Sequence, residues 1–207
     1  MFLNSTLKFF IAEFITNSRI EEDRKAVLQP LIEYIKEKGQ ICDPINLNFI
    51  CTHNSRRSHL CQIWAQVASA YYQINHVFCY SGGTEITSIY PRIIETLKNQ
   101  GFGVFKLTMN ENPIYAIRYS QIAFPINGFS KIYDSEYNPA SNFAAIMTCS
   151  NADDGCPYIP GAEKRIPITY LDPKLSDNTT DEESVYHNRS VEIAREMFYV
   201  FSQIDLK

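Results

Sequence analysis

The sequence predicts an α/β fold built on a parallel-centred sheet with helices packed against it. Two observations predict it. Short apolar runs rich in β-branched and aromatic residues, at 45–50, 76–80 and 142–148, alternate with stretches of helical periodicity. Turn residues, among them Asp43-Pro44, Gly82-Gly83 and Gly101, punctuate each change of period.

Residues 1–40 read as a helical extension, an accessory hairpin packed on a main domain at 41–207. Ser18-Arg19-Ile20-Glu21 resembles a capping box, and Ile20, Val27, Leu28, Leu31, Ile32 and Ile35 follow at helical spacing. Pro30 is expected to kink this helix and Gly39 to end it. The main domain opens with a strand at Ile45–Ile50, a tight loop at Cys51–Arg57 and a helix reaching about Gln73. A second strand, His76–Tyr80, enters the turn Ser81–Glu85, and a helix from Tyr90 to Asn99 ends at Gly101. Strand-like segments at Val104–Thr108 and Ile114–Tyr119 flank Asn110-Glu111-Asn112-Pro113, which reads as a hairpin turn extending one sheet edge. The run Asn142–Thr148 ends at Cys149, a long loop follows, and Ser184–Ile204 is a last amphipathic helix. Residues 178–183 are polar and read as a mobile surface loop.

Composition narrows the function classes. At 207 residues with 45% hydrophobic and 20% charged residues, the chain can bury a substantial core. A net charge of −4 gives no electrostatic footprint for nucleic acid or an anionic membrane, so an anionic substrate must be held by local donors. No apolar run is long enough to span a bilayer, and no signal peptide is expected. Six unevenly spaced cysteines read as cytosolic thiols, some reactive, rather than a disulfide scaffold. No cysteine pair has the two-residue spacing of a zinc site, and no metal is expected. The thirteen Tyr and thirteen Phe read as core and sheet packing.

The chemistry concentrates in Cys51-Thr52-His53-Asn54-Ser55-Arg56-Arg57-Ser58, which follows a strand and opens a helix. That geometry points main-chain N–H groups at a tetrahedral oxyanion. The helix dipole and the Arg57 guanidinium should favour the Cys51 thiolate, and Arg57 supplies paired donors to the anion. A cysteine after a strand is more often a buried small hydrophobe, but the strand-to-helix context and Ser58 favour chemistry. Cys149 and Cys156 bracket a polar loop after an apolar run. This spacing alone suits a reversible disulfide or two incidental cysteines equally. Asp172-Pro173 places a carboxylate late in the chain that can protonate a leaving oxygen if it sits over the anion.

With these residues the sequence resembles the low-molecular-weight protein tyrosine phosphatase superfamily, and within it the thioredoxin-coupled arsenate reductases. The resemblance spans roughly Ile45 to the C-terminus and rests on the Cys51–Ser58 loop, Tyr80–Glu85, Cys149–Pro157 and Asp172-Pro173. It implies a three-layer sandwich around the parallel-centred sheet and a cytoplasmic enzyme with no bound cofactor. Residues Thr52 to Arg57 would hold the oxyanion, Cys51 would attack arsenate, and Ser58 would hydrogen-bond its thiolate. Asp172 would protonate the departing hydroxide. Cys149 would then form a disulfide with Cys51, and Cys156 would move it to a loop where thioredoxin reduces it. The alternative is a phosphatase for phosphotyrosine or small phosphate monoesters acting through a Cys51-phosphoryl intermediate. A third reading is a non-catalytic oxyanion or thiol sensor.

The chain also departs from the family. Glycine is usual where His53 stands, so the backbone there should need glycine's freedom. Cysteine is often found at Arg56, whose side chain is expected to point to solvent. Gln62 stands where potassium-binding relatives carry an acid, and no ion is expected. His59 and His187 are expected on helix surfaces. Residues 101–142 are longer than in compact relatives, and residues 1–40 have no counterpart.

Overall fold

A computed structural model of the chain describes residues 3–16, 19–155 and 158–205. Four parallel strands form the main sheet: β1 (Ile45–Cys51), β2 (Val77–Gly83), β6 (Phe143–Met147) and β7 (Ala162–Pro167), in the order β2-β1-β6-β7. β1 is paired along both edges, by β2 and β6, and its side chains enter apolar clusters on both faces of the sheet. Its run of apolar residues is what such a position demands.

Successive residues of a strand face opposite sides, and the core divides accordingly. Leu47 and Phe49 of β1, with Ala144, Ile146 and Ile166, join the larger cluster. That cluster also takes the buried faces of α3 (Arg57–Tyr71) and α6 (Glu182–Ser202). Ile50, Cys51, Ala145 and Met147 join a smaller one with Cys149, Ile159 and Ala152 of the short helix α5 (Ser150–Gly155). The result is a three-layer α/β sandwich. Trp64 of α3, fully buried, donates from Nε1 to Ser190 Oγ at 2.9 Å and locks α3 to α6.

The N-terminal residues form two helices, α1 (Ser5–Phe14) and α2 (Glu22–Gln40). Leu7, Ile11, Leu28, Leu31 and Ile35 from them enter the larger cluster. α2 runs unbroken through Pro30, eight residues past its start at Glu22, and has no side-chain cap at Glu21. Ser18, the first residue of the expected capping box, lies outside the described residues. α4 (Pro91–Asn99) packs against α6.

Two expectations are corrected. The hairpin at 104–119 does not extend the main sheet. β3 (Gly103–Lys106) and β4 (Tyr115–Arg118) pair antiparallel, but with β5 (Ile126–Gly128) they form a separate three-stranded sheet. β7 was part of the long loop. Ala162-Glu163-Lys164-Arg165-Ile166-Pro167 is charged and ends in proline, as suits a sheet edge that must resist further pairing. Of residues 178–183, 178–181 are exposed, while Glu182 is buried and starts α6. Among the described residues no helix is long and apolar enough to cross a membrane.

Candidate active site

The chain leaves β1 through α3 toward β2, and leaves its other neighbour, β6, toward β7 at the opposite edge. Cys51 therefore lies at the topological switch point, where the carboxyl ends of parallel strands open a crevice. The loop of residues 52–56 leaves Cys51 and enters α3 at Arg57. No main-chain N–H of residues 52–56 has a hydrogen-bond acceptor among the described residues. Such a run of free donors beside a helix N-terminus is an anion cradle.

Neighbouring segments hold the loop. Glu85 N–H donates to Thr52 O at 2.9 Å, and Thr84 N–H to Cys51 O at 3.2 Å. His53 O accepts from Thr87 Oγ1 at 3.0 Å and Ser130 Oγ at 2.9 Å. His53 Nε2 lies 3.4 Å from Glu85 Oε2, at the solvent side. Ser55 O accepts from Tyr90 N–H at 3.1 Å. The left-handed residue of the loop is Asn54, with φ +44°, so the backbone strain expected at His53 falls one residue later. Asparagine tolerates that region better than most residues. Its side chain is committed: Nδ2 donates to Ser58 Oγ at 2.8 Å, and Oδ1 accepts from Lys131 N–H at 3.0 Å.

Cys51, 4% exposed, has its Sγ 3.1 Å from Ser58 Oγ. Because Asn54 donates to Ser58 Oγ, the serine hydroxyl is free to donate to the sulfur. Arg57 Nη1 donates to Tyr170 O at 3.0 Å and Nη2 to Asp172 Oδ2 at 2.5 Å, while its buried Nε has no partner among the described residues. Asp172 caps a 3-10 turn at 173–176, accepting from Lys174 N–H at 3.1 Å. Together with His53, Ser55 and Arg56, these residues enclose a cavity of only about 10 Å³. The Asp172 carboxylate takes the guanidinium.

Arg56 does not point to solvent. Its Nε donates to Tyr186 OH and its Nη2 to Asp177 Oδ2, each at 2.5 Å, and its guanidinium lies 4.2 Å from the centre of the Tyr90 ring. Consecutive arginines thus grip both ends of the turn, Arg57 at Asp172 and Arg56 at Asp177. The charge that Arg56 brings is neutralised by Asp177, leaving only its main chain to face the cradle.

β1 and β6 are parallel neighbours, so the residues after their ends lie side by side. Cys149 follows β6 and reaches the loop after Cys51: its Sγ is 3.5 Å from Thr52 Oγ1 and accepts from Ala152 N–H at 3.4 Å. Cys51 and Cys149 share the smaller apolar cluster, and both are free thiols. Cys156 lies outside the described residues.

Several contributors were missed from sequence. A Cβ on Gly83 would stand 2.7 Å from Thr52 O and 2.8 Å from Asn54 N, so only glycine lets the turn press on the loop. The Gly82-Gly83 pair was a visible signal for that. Asp177 and Lys131 carried none, since each meets the loop from a distant segment. His59 is fully buried rather than on a surface. Its Nδ1 is 3.3 Å from Ser81 Oγ, and burial lowers its pKa to about 3. His187 is half-buried, edge-on to Phe10 and Phe14.

The chain is 26% identical over 132 residues to arsenate reductase 2 of Staphylococcus epidermidis, covering 63% of this chain and 80% of that one. To an arsenate reductase of Staphylococcus aureus it is 28% identical over 118 residues, 56% of this chain and 70% of that one. The chain resembles the low-molecular-weight phosphatase and arsenate reductase superfamily. Its fold is shared with a low-molecular-weight protein tyrosine phosphatase from T. tengcongensis, with TM-score 0.53, 14% identity, and 77% of this chain on 99% of that one. It is likewise shared with an arsenate reductase in the phosphate binding state, with TM-score 0.50, 17% identity, and 78% of this chain on 99% of that one. No protein-family model matches the chain.

Proposed function

We propose that this chain is a cytoplasmic arsenate reductase that works through three thiols and is reduced by thioredoxin. The observation that carries the reading is the Cys149 thiol against Thr52 of the catalytic loop, in one apolar cluster with Cys51. A phosphate ester offers no redox chemistry to a second thiol, whereas arsenic(V) accepts two electrons.

In this reading the free amides of residues 52–56 and the Arg57 guanidinium receive the arsenate oxygens, and Arg57 Nε gains the partner it lacks. Cys51, hydrogen-bonded by Ser58, attacks arsenic as a thiolate. One arsenic–oxygen bond breaks as the S–As bond forms, and Asp172 protonates the departing hydroxide to water. Cys149 then attacks Cys51 Sγ. The new S–S bond forms as the S–As bond breaks, and its electron pair leaves with arsenic as arsenite. The Cys156 thiolate attacks Cys149 Sγ, releasing Cys51 and leaving a Cys149–Cys156 disulfide that the dithiol of thioredoxin reduces.

A phosphatase acting on phosphotyrosine or small monoesters is the second reading. It is favoured by the placement of Asp172 on Arg57, which suits an acid that protonates an ester oxygen and then activates water. NADPH consumption through thioredoxin reductase and thioredoxin, with and without arsenate, separates the two. The reductase reading expects arsenate-dependent turnover that vanishes in Cys149→Ser. Ester hydrolysis that needs Cys51 but not Cys149, with no arsenate turnover, would replace it with the phosphatase.

A further inference from the structure

The main sheet and the second sheet do not pair, and the gap between them at the β2 edge is a cavity of about 500 Å³. It shares no lining residue with the Cys51 site. Its volume is that of a small-molecule site. Phe78, Tyr119, Phe129 and Tyr137 line it, with the last two ring centres 5.2 Å apart in an edge-to-face pair.

The polar lining is built, not incidental. Gln62 and Gln66 of α3 cover the β2 edge. Gln62 Nε2 donates to Cys79 O at 3.0 Å, and Gln66 Nε2 to Val77 O at 3.2 Å. That orientation leaves Gln62 Oε1 buried, with the His59 ring of its own helix as its polar neighbour. Lys131, 5% exposed, lines the same cavity and has no carboxylate partner among the described residues. Its ammonium lies 4.6 Å from the centre of the Phe129 ring, and burial lowers its pKa to about 8. A buried cation without a counter-ion is costly to keep, and a ligand anion relieves that cost.

We propose that this cavity binds a small aromatic carboxylate bearing a hydroxyl or amino donor. The carboxylate pairs with Lys131, the donor serves Gln62 Oε1, and the ring lies among the aromatic side chains. The site is tied to the catalytic loop through the Lys131 main chain, whose N–H donates to Asn54 Oδ1 and whose carbonyl accepts from Gly83 N–H at 2.8 Å. It does not depend on which chemistry Cys51 performs.

The probe is phenyllactate, titrated by calorimetry into the reduced full chain, with phenyllactamide as its neutral counterpart. The expected result is saturable one-to-one binding of phenyllactate, with the amide at least about tenfold weaker, the size of one lost charged hydrogen bond. Lys131→Met, which preserves the main-chain contact to Asn54, should lose the acid by a similar factor and leave the amide unchanged. Acid and amide binding equally, or the acid not binding at millimolar concentration, would overturn the proposal. That comparison uses the wild-type chain and stands even if Lys131→Met fails to fold.

Discussion

Arg57 Nη2 donates to Asp172 Oδ2 at 2.5 Å, so the guanidinium placed to receive an oxyanion is already holding the carboxylate proposed as its acid. The two cannot remain so engaged when an anion enters the small cavity between them. Under the proposed chemistry Asp172 would be both proton donor and competitor.

Asp172→Asn is therefore expected to split the kinetic constants. Loss of the acid should slow turnover by about 10² to 10⁴-fold. Loss of the competing charge should let inorganic phosphate bind more tightly. Steady-state kinetics and phosphate titration check this. Weaker phosphate binding in the variant would mean that the pair organises the site instead of blocking it.

His59 predicts an acid sensitivity of the fold. Burial lowers its pKa to about 3, against an ordinary value of 6.5. Between these values the unfolded chain takes up a proton that the folded chain refuses, so stability rises with pH and is lost as pH falls below 6.5. The slope reaches about 1.4 kcal/mol per pH unit from this group. Urea unfolding of the wild type and of His59→Gln across pH 4 to 7 should show a flatter dependence in the variant.

The N-terminal helix α2 is joined to the site by a buried relay. Arg24 Nε and Nη2 grip Glu196 at 2.6 and 2.8 Å, Tyr170 OH donates to the same carboxylate at 2.7 Å, and the Tyr170 carbonyl accepts from Arg57. Arg24→Met should destabilise the fold by about 3–5 kcal/mol, because it leaves a buried carboxylate without its cation. Adding Glu196→Gln, which can still accept from Tyr170, should recover most of that loss in chemical unfolding.

What the sequence disclosed follows from the range of each interaction. The strand, loop and helix around Cys51 were legible because a period change, a cysteine and two arginines lie within a few residues. Cys149 was legible because it ends an apolar run, and parallel pairing of that run with β1 then places it beside Thr52. Arg56 was misplaced because its partners, Asp177 and Tyr186, lie more than a hundred residues away. The second sheet was misassigned because a hairpin pattern does not say which edge it joins. β7 was invisible because an edge strand of charged residues carries almost no periodic signal.

The three-thiol relay is tested by a single turnover of the Cys156→Ser variant with one equivalent of arsenate, followed by mapping its thiols by mass spectrometry. One Cys51–Cys149 disulfide and one arsenite released per chain are expected. Arsenite release with Cys149 still a free thiol, or no reaction at all in a folded variant whose Cys51 alkylates normally, would contradict it.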